Sequence, residues 1–309
     1  MVSRASQAKR IPAAFVEKDF WVTELLRIIG QAAAGENAIA VFKGGTSLSK
    51  GYKLIERFSE DVDILLVPPE VGGAAARHTI LKRIEAAAAR HFGLGDADIG
   101  VVQSTTGVKR DVRYPYQRRF DLGALSEGVL LEMGVRGGPQ PRTTMAIDSH
   151  VAEFAKDELK LPLDEFDEFE PVEIAVLASE RTLVEKLSLL HGLATRFPEP
   201  AAVTALRRSG RHYYDVYRLL AHDETREACA IPGNVEMLAT DVDRKSEEYG
   251  WTYAPRPEGG YAVSPAFDSS HGSSSDARAG FEKATQLIYG EVPTFDECLE
   301  RVQKGSDLL

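Results

Sequence analysis

The chain has 309 residues and a formal net charge of −10, with 43% hydrophobic and 27% charged residues. This balance is that of a folded globular protein rather than a disordered one, and the length suits two domains. The negative charge argues against a protein that coats nucleic acid nonspecifically, because such binding depends on neutralisation of phosphates by Lys and Arg.

The sequence also bears on targeting and cysteine chemistry. It contains no apolar run near the roughly 20 residues that span a bilayer. Its first residues, MVSRASQAKRIPAAF, lack the apolar stretch of a signal peptide, so we expect a cytoplasmic protein without a membrane segment. Cys229 and Cys298 form no CxxC pair, so we expect neither a disulfide framework nor a cysteine-based zinc site.

The first part of the chain mixes helical and extended patterns. Apolar periodicity and helix-forming residues predict helices at 12–34, 47–54 and 74–92. Runs of β-branched and aromatic residues predict strands at 38–42, 62–67, 110–116, 118–122, 129–135 and 144–148. The acidic tract LPLDEFDEFEP (161–171) is predicted to be a solvated loop.

After residue 178 the pattern becomes helical. Helices are predicted at 179–194, 201–221, 234–249 and 276–289, with a short final turn at 295–302. The stretch Pro255–Ser275 is rich in Gly, Ser and Pro and is predicted to be a long mobile loop. The chain therefore divides into an α/β (α+β) part, 1–176, and a helical part, 177–309.

The segment VFKGGTSLSKGYKLIERFSEDVDILLV (41–67) carries the most informative pattern. Asp61 and Asp63 stand at i and i+2 of a predicted strand, so both carboxylates project to one face. Two carboxylates this close need a cation between them or a shared proton. Mg²⁺ binds through one or two carboxylates together with substrate phosphates. A solvated strand edge is the alternative for Asp-x-Asp taken alone.

Two glycines and two hydroxyls precede this strand. Gly44 and Gly45 follow a strand and precede a short helix, so their backbone N–H groups are available to an anion. Thr46 and Ser47 add hydroxyl donors. A tight turn with positive φ explains the glycines but not the neighbouring hydroxyls and carboxylates. A phosphate cradle beside paired carboxylates is typical of phosphoryl or nucleotidyl transfer.

The motif KGGTSLSK…RFSEDVDILL resembles the first motif of the AbiEii-type nucleotidyltransferase toxins of type IV toxin–antitoxin systems, a group that includes the mycobacterial MenT toxins. The segment VEKDFWVTELLR (16–27) is similar to the group's opening helix, and the resemblance extends from Val16 to about Val302. It implies an N-terminal DNA polymerase β-like nucleotidyltransferase domain with a mixed sheet. It also implies a helical C-terminal domain that completes the active site and the acceptor-binding cleft.

The resemblance assigns roles in the first part of the chain. Asp61 and Asp63 would be catalytic and would hold Mg²⁺ or Mn²⁺. Glu132, in GVLLEMGVRG, would be a third metal ligand or a base, although a lone Glu in a strand can also face solvent. The residues that would bind the NTP here are Gly44, Gly45, Thr46, Ser47 and Ser59.

Lys186 lies in SERTLVEKLSLLH (179–191), on one helix face with Thr182 and Leu190. By resemblance Lys186 is catalytic and holds the triphosphate of the nucleotide. The alternative is an ordinary surface lysine paired with Glu185 or another acid.

Asp215 lies among aromatic residues in RHYYDVYRLL (211–220), where the family places an active-site aspartate. By resemblance Asp215 is therefore catalytic. The alternative is a structural ion pair with Arg211 or Arg218, one helical turn away.

The segment VKRDVRYPYQRRF (108–120) interleaves basic and aromatic residues, the combination that grips and stacks single-stranded nucleic acid. Toxins of this group add nucleotides to the tRNA acceptor end and block aminoacylation. The resemblance thus implies tRNA and NTP as substrates and a cognate antitoxin as partner. A twisted hairpin with a solvated face is the alternative. The candidate RNA-binding residues are Arg110, Arg113, Arg118 and Arg119.

Three other functions stay open at this point. They are nucleotidyl transfer to a protein, glycosyl transfer with Asp-x-Asp holding a metal–nucleotide-sugar, and a non-catalytic binding module. The Gly-Gly-Thr-Ser turn and the motifs around Lys186 and Asp215 argue against a glycosyltransferase. A non-catalytic module would require a damaged site, and none of the expected residues is missing.

Overall fold

A computed structural model describes residues 1–59, 61–70, 72–121, 126–161 and 166–309. These residues divide into two compact units. The first unit combines 1–52 with 58–177, and the second combines 53–57 with 178–309. Five residues that precede the Asp-x-Asp strand therefore pack with the helical part of the chain.

The first unit is built on a seven-stranded mixed sheet, which confirms the predicted fold class. The strands are β1 (Ile39–Lys43), β2 (Asp61–Val67), β3 (Gly100–Thr105), β4 (Lys109–Tyr114), β5 (Val129–Gly134), β6 (Arg142–Ile147) and β7 (Val172–Leu177). Their order is β3-β4-β5-β2-β1-β7-β6. The pairs β2–β5 and β1–β7 are parallel, and the remaining pairs are antiparallel.

The helices of this unit are α1 (Val2–Lys9), α2 (Ala13–Gly35), α3 (Gly44–Lys50), α4 (Ala74–His91) and α5 (His150–Asp157). Of these, α2 and α4 cover one face of the sheet. Val62, Ile64 and Leu66 of β2 join the core formed with apolar residues of α2 and α4. Because side chains alternate along a strand, Asp61 and Asp63 lie on the opposite face.

The second unit is helical. Its helices are α6 (Ser179–Thr195), α7 (Pro200–Arg208), α8 (Arg211–Leu219), α9 (Asp223–Ala230), α10 (Asn234–Tyr249), α11 (Ser274–Ala284) and α12 (Phe295–Lys304). A capping box between Thr294 and Glu297 fixes the start of α12. Among the described residues no helix is both long and apolar enough to span a membrane.

Several predicted elements differ from the structure. The helix predicted at 201–221 is two helices, α7 and α8, which meet at Gly210. A Cβ on Gly210 would lie 2.0 Å from the carbonyl carbon of Gly280, so this position must be glycine for α11 to approach. The helix predicted at 47–54 begins earlier, at Gly44. The sequence analysis missed five elements: α1, α5, α9, β3 and β7.

One predicted strand and one predicted loop also need correction. Residues 115–121 form no strand, so the strand predicted at 118–122 is wrong for its described part, and Leu122 lies outside the described residues. The loop Pro255–Ser275 is packed rather than free, since Tyr261 is fully buried. Within the acidic tract, 162–165 lie outside the described residues, while Asp167–Phe169 form one 3-10 turn.

Candidate active site

Three carboxylates line up across neighbouring strands of the first unit. Asp63 on β2 is the direct partner of Glu132 on β5, and Glu132 is the direct partner of Asp111 on β4. Directly paired residues project to the same face of a sheet. The three residues therefore form a carboxylate row on the face opposite the helices. The sequence analysis included Asp63 and Glu132 in the site but missed Asp111.

The carboxylate row is short of positive charge. Burial raises the pKa of Glu132 to about 7, helped by the charge of Asp63 and by a hydrogen bond with it. The ammonium of Lys109 opposes this shift from 3.9 Å, and it lies closer to Asp111, at 2.7 Å. Near neutral pH Glu132 is therefore partly protonated and donates to Asp63, and a cation at this place would displace the proton of Glu132.

Gly44 passes directly against the carboxylate of Asp63. Its φ is +75°, and a Cβ would lie 2.1 Å from Asp63 Oδ2. Any other residue would be strained at this φ and would also push the carboxylate aside. The glycine at position 44 is thus required by the position of Asp63 as well as by the turn.

The two predicted hydroxyl donors brace the same turn. Thr46 Oγ1 donates to the backbone carbonyl of Asp61, and Ser47 Oγ donates to the carbonyl of Gly44 at 2.9 Å. Both side chains are buried, as is Gly45. Their role as phosphate ligands stays a prediction, because both hydroxyl groups donate to backbone carbonyls in this structure. Ser59, also predicted to bind nucleotide, is half-buried just ahead of β2.

Asp61 and Asp63 have the donor chemistry that Mg²⁺ prefers. Protein-bound Mg²⁺ is usually held by one or two carboxylates, and water and substrate phosphates complete its coordination. Within the described ranges, no group of three or more His, Cys, Asp or Glu residues is arranged to hold a metal. The residues thus fit a metal held by Asp61 and Asp63; Glu132 as a third ligand stays a prediction.

A second cluster of charges lies in the helical unit around Asp215, which is fully buried. The Nε and Nη2 groups of Arg57 donate to its two oxygens at 2.6 and 2.8 Å. Lys186 Nζ lies 2.8 Å from Oδ2. Burial would raise the pKa of Asp215, but Arg57 and Lys186 hold it well below its usual value. Asp215 is therefore an anion at neutral pH.

Lys186 is held by a second partner as well. Its Nζ lies 3.1 Å from Nδ1 of His212. Burial and the charge of Lys186 lower the pKa of His212 to about 3, so this imidazole is neutral and accepts through Nδ1. Burial lowers the pKa of Lys186 itself, and Arg57 and Arg211 lower it further, although Asp215 opposes them. An added anion such as a phosphate would therefore be favourable here.

Arg57 was missed because it lies 158 residues from Asp215 in the chain. The alternative for Asp215, a pair with a neighbouring arginine of its own helix, is not what the structure shows. Arg218 instead donates to the backbone carbonyl of Leu54 at 2.8 Å. The alternative partner of Lys186, Glu185, pairs with Arg181 at 3.0 Å.

The four arginines predicted to bind RNA do not form one patch. Arg110 is buried, and its Nη2 donates to Glu85 on α4 at 2.8 Å. It belongs to the helix-covered face, whereas Arg113 is three residues further along the strand and projects from the other face. Arg118 and Arg119 are exposed on the segment after β4. The prediction that Arg110 contacts RNA is therefore wrong on burial and pairing.

No curated protein sequence matches this chain. A similar solved structure is the nucleotidyltransferase toxin MenT4 from Mycobacterium tuberculosis H37Rv, which is 19% identical, with 100% of this chain and 94% of that chain covered and a TM-score of 0.46. The family model described as nucleotidyl transferase AbiEii toxin, type IV TA system, matches residues 25–301. Because this match spans most of the chain, the protein belongs to the AbiEii family of nucleotidyltransferase toxins.

Proposed function

We propose that this protein transfers a nucleoside monophosphate from an NTP to the 3′ acceptor end of tRNA, with Mg²⁺, and thereby blocks aminoacylation and translation. The observation that carries the proposal is the carboxylate pair Asp61–Asp63 beside the Gly44 turn, in a chain of a nucleotidyltransferase toxin family. The family also implies a cognate antitoxin that restrains the activity.

Each charged group has a place in this reaction. Asp61 and Asp63 would hold the divalent ion, which when bound supplies Lewis-acid stabilisation of the phosphoryl oxygens. Lys186 neutralises charge on the triphosphate through the N–H that its bonds to Asp215 and His212 leave available. Asp215 and Arg57 fix the position of that ammonium, so Asp215 acts as a positioning residue.

The chemical step is an in-line displacement at the α-phosphorus. The acceptor hydroxyl oxygen forms a bond to this phosphorus as the bond to the β-phosphate bridging oxygen breaks, and pyrophosphate leaves. The hydroxyl proton passes to Glu132 in its carboxylate form, which strand pairing with Asp63 holds in the carboxylate row. Placement and charge stabilisation supply most of the rate in such reactions.

The acceptor is proposed to be RNA because exposed Arg118 and Arg119 follow β4 among aromatic residues. Cation and aromatic side chains together are the usual means of holding unpaired nucleotides. The cytoplasm, where tRNA and NTPs are abundant, is the proposed location.

The test is to incubate the purified protein with total tRNA, Mg²⁺ and each α-³²P-labelled NTP separately. The inactive variant is Asp63→Asn, and the matched control is Asp96→Asn, an exposed aspartate of the same unit. We expect label in tRNA with the wild type and with Asp96→Asn, and a loss of at least about a thousandfold with Asp63→Asn. Charging of the labelled tRNA with amino acids should fail.

Label in a protein band instead of tRNA would replace the proposed acceptor with a protein. Absence of label from all acceptors, with release of sugar from a nucleotide-sugar, would replace nucleotidyl transfer with glycosyl transfer. Equal labelling by Asp63→Asn and the wild type would overturn the assigned role of the carboxylate pair.

A further inference from the structure

A cavity of about 690 Å³ opens in the first unit, away from the carboxylate row. Its volume falls within the roughly 300–1,000 Å³ typical of small-molecule sites. Residues 115–117 and Arg119, which follow β4, line it together with side chains of α2 and the end of α4. Five of the lining side chains are aromatic: Phe20, Trp21, Phe92, Tyr116 and Phe169.

The aromatic side chains form a continuous wall. Trp21 and Tyr116 are stacked, with ring centroids 5.5 Å apart and planes at 24°. Phe92 adjoins Trp21 at 5.4 Å, and Phe20 meets it edge-on at the same distance. These four side chains are only half-buried, so part of each ring faces the cavity. Such a wall suits a flat aromatic ligand, because stacking needs no fixed pattern of hydrogen bonds.

The cavity is lined by two acidic side chains and one basic side chain. Glu17 is 5% exposed, and both of its oxygens accept from the backbone N–H of Arg119, at 3.0 and 3.2 Å. A carboxylate has about four acceptor sites, so Glu17 retains capacity for a donor on a ligand. The side chain of Arg119 is exposed at the same cavity. Glu168, also at the lining and exposed, disfavours an anion on its side.

We propose that this cavity binds one unpaired nucleotide of the RNA acceptor. In this proposal the base lies against Trp21 and Tyr116, its exocyclic amino group donates to Glu17, and its phosphate lies beside Arg119. A nucleotide carries a hydrogen-bond donor on its base and a negative charge on its phosphate. These two groups are complementary to the buried carboxylate of Glu17 and the exposed guanidinium of Arg119. The inference rests on the proposed function, and it names a part of the substrate that this function must hold.

The carboxylate also predicts which bases are accepted. Cytosine N4 is a donor that Glu and Asp accept from, whereas uracil presents a carbonyl oxygen at the same position. A carbonyl oxygen facing Glu17 would leave two acceptors opposed without a proton between them. The cavity should therefore bind cytidine and adenosine nucleotides in preference to uridine nucleotides.

Trp21 itself reports on the cavity. The chain has two tryptophans, and the other, Trp251, is 46% exposed in the helical unit. In a Trp251→Phe variant, all tryptophan fluorescence comes from Trp21. We would titrate this variant with tetracytidylate and tetrauridylate, and with CTP, CMP and cytidine. We expect quenching by tetracytidylate with a Kd about tenfold below that for tetrauridylate.

Two further substitutions in this background identify the groups responsible. Glu17→Gln replaces an acceptor pair with an amide that can donate to uracil, so the preference for cytosine should fall about tenfold or invert. Arg119→Met should weaken CMP about three- to tenfold and leave cytidine unchanged. The matched control is Arg83→Met, an exposed arginine on α4 with a side chain 65% exposed. Circular dichroism of each variant confirms folding.

The outcomes separate this inference from the proposed function. Quenching by tetracytidylate without transfer of label to any RNA would keep the nucleotide site and overturn the proposed function. Transfer to tRNA with no quenching by any nucleotide, and with an unchanged KM for tRNA in Trp21→Ala, would overturn the inference alone. Quenching by CTP but not by tetracytidylate would also overturn it, since the cavity would then hold the NTP. Equal affinity for both oligonucleotides would overturn the role of Glu17.

Discussion

Glu132 and Asp215 are both buried at least in part and both have charged neighbours, yet their surroundings shift their pKa values in opposite directions. Glu132 lies among carboxylates with Lys109 as the nearby cation, and its pKa rises to about 7. Asp215 lies among Arg57, Lys186 and neutral His212, and its pKa falls well below the usual value. One cluster has more carboxylates than cations, whereas the other has several basic groups around a single carboxylate.

This difference in charge means that the two clusters favour different ligands. An acidic cluster that holds a proton at neutral pH gains most from a divalent cation, which replaces the proton. A basic cluster whose lysine has a lowered pKa gains most from an anion such as a phosphate. Substitutions that change the charge of each cluster should therefore have opposite consequences for the two kinds of ligand.

The largest effect is expected for Asp215→Asn. Removal of this carboxylate leaves Arg57 and Lys186 buried without their anion, and loss of one partner from a buried ion pair costs about 3–5 kcal/mol of unfolding free energy. Urea denaturation at neutral pH measures it. The matched control is Asp223→Asn, an aspartate of the same unit whose side chain is 88% exposed, where we expect about 1 kcal/mol or less. Equal costs for the two variants would contradict a buried, charge-dependent network.

Lys186→Met should affect activity more than stability. Asp215 keeps both bonds from Arg57 in this variant, so the unfolding free energy should fall by less than in Asp215→Asn. Nucleotidyl transfer should fall about a hundredfold, as for other residues that stabilise charge in the transition state. The control is Lys304→Met, whose side chain is 73% exposed in the same unit. A wild-type rate in Lys186→Met would show that this ammonium does not act on the substrate.

Glu132→Gln should change how stability depends on pH. The pKa of Glu132 is about 7 when folded and 4.5 in its reference state, so the folded protein binds the proton more tightly. Its contribution to stability is then complete below about pH 4.5 and is lost as the pH rises to about 7. A glutamine cannot ionise, so the variant does not lose this part of its unfolding free energy. Because the carboxyl is partly exposed, we expect a gain of about 1–2 kcal/mol at pH 8.

Urea denaturation of the wild type and Glu132→Gln at about pH 5 and pH 8 tests this prediction. Added Mn²⁺ should reduce the difference at the higher pH, because a cation at Asp61 and Asp63 stabilises the ionised row. A difference that is the same at both pH values would show that the pKa of Glu132 is not raised in the folded protein.

Part of this architecture could be read from the sequence. Helix α10 spans Asn234–Tyr249, as predicted, because its apolar periodicity ends at Gly233 and Gly250, both with positive φ. Strand β3 was missed since all of its residues are exposed, which leaves no alternation of apolar and polar residues to detect. Local pattern thus fails where no face of an element is buried, although β7 was missed despite its buried side chains.

In the candidate site, local sequence pattern also fails to predict contacts between residues that are far apart in the chain. Asp61, Asp63 and Gly44 were predictable because one strand and one turn bring them together. Asp111 joins Glu132 through strand register, and Arg57 joins Asp215 from a distant part of the chain, and neither follows from local spacing. The error at Arg110 was avoidable, because residues three apart in a strand lie on opposite faces.

The smallest effect is expected for Lys109→Gln, and its direction is informative. Lys109 Nζ lies 2.7 Å from Asp111 and 3.9 Å from Glu132, where a metal at the neighbouring aspartates would meet a like charge. Its side chain is 35% exposed, so loss of the ion pair should cost about 1 kcal/mol or less. Removal of the positive charge should tighten Mn²⁺ binding a few-fold, whereas Asp111→Asn, which removes a negative charge and releases the lysine, should weaken it. Electron paramagnetic resonance of free Mn²⁺ measures both affinities. Shifts of the same sign in the two variants would contradict an electrostatic influence of this ion pair on the metal.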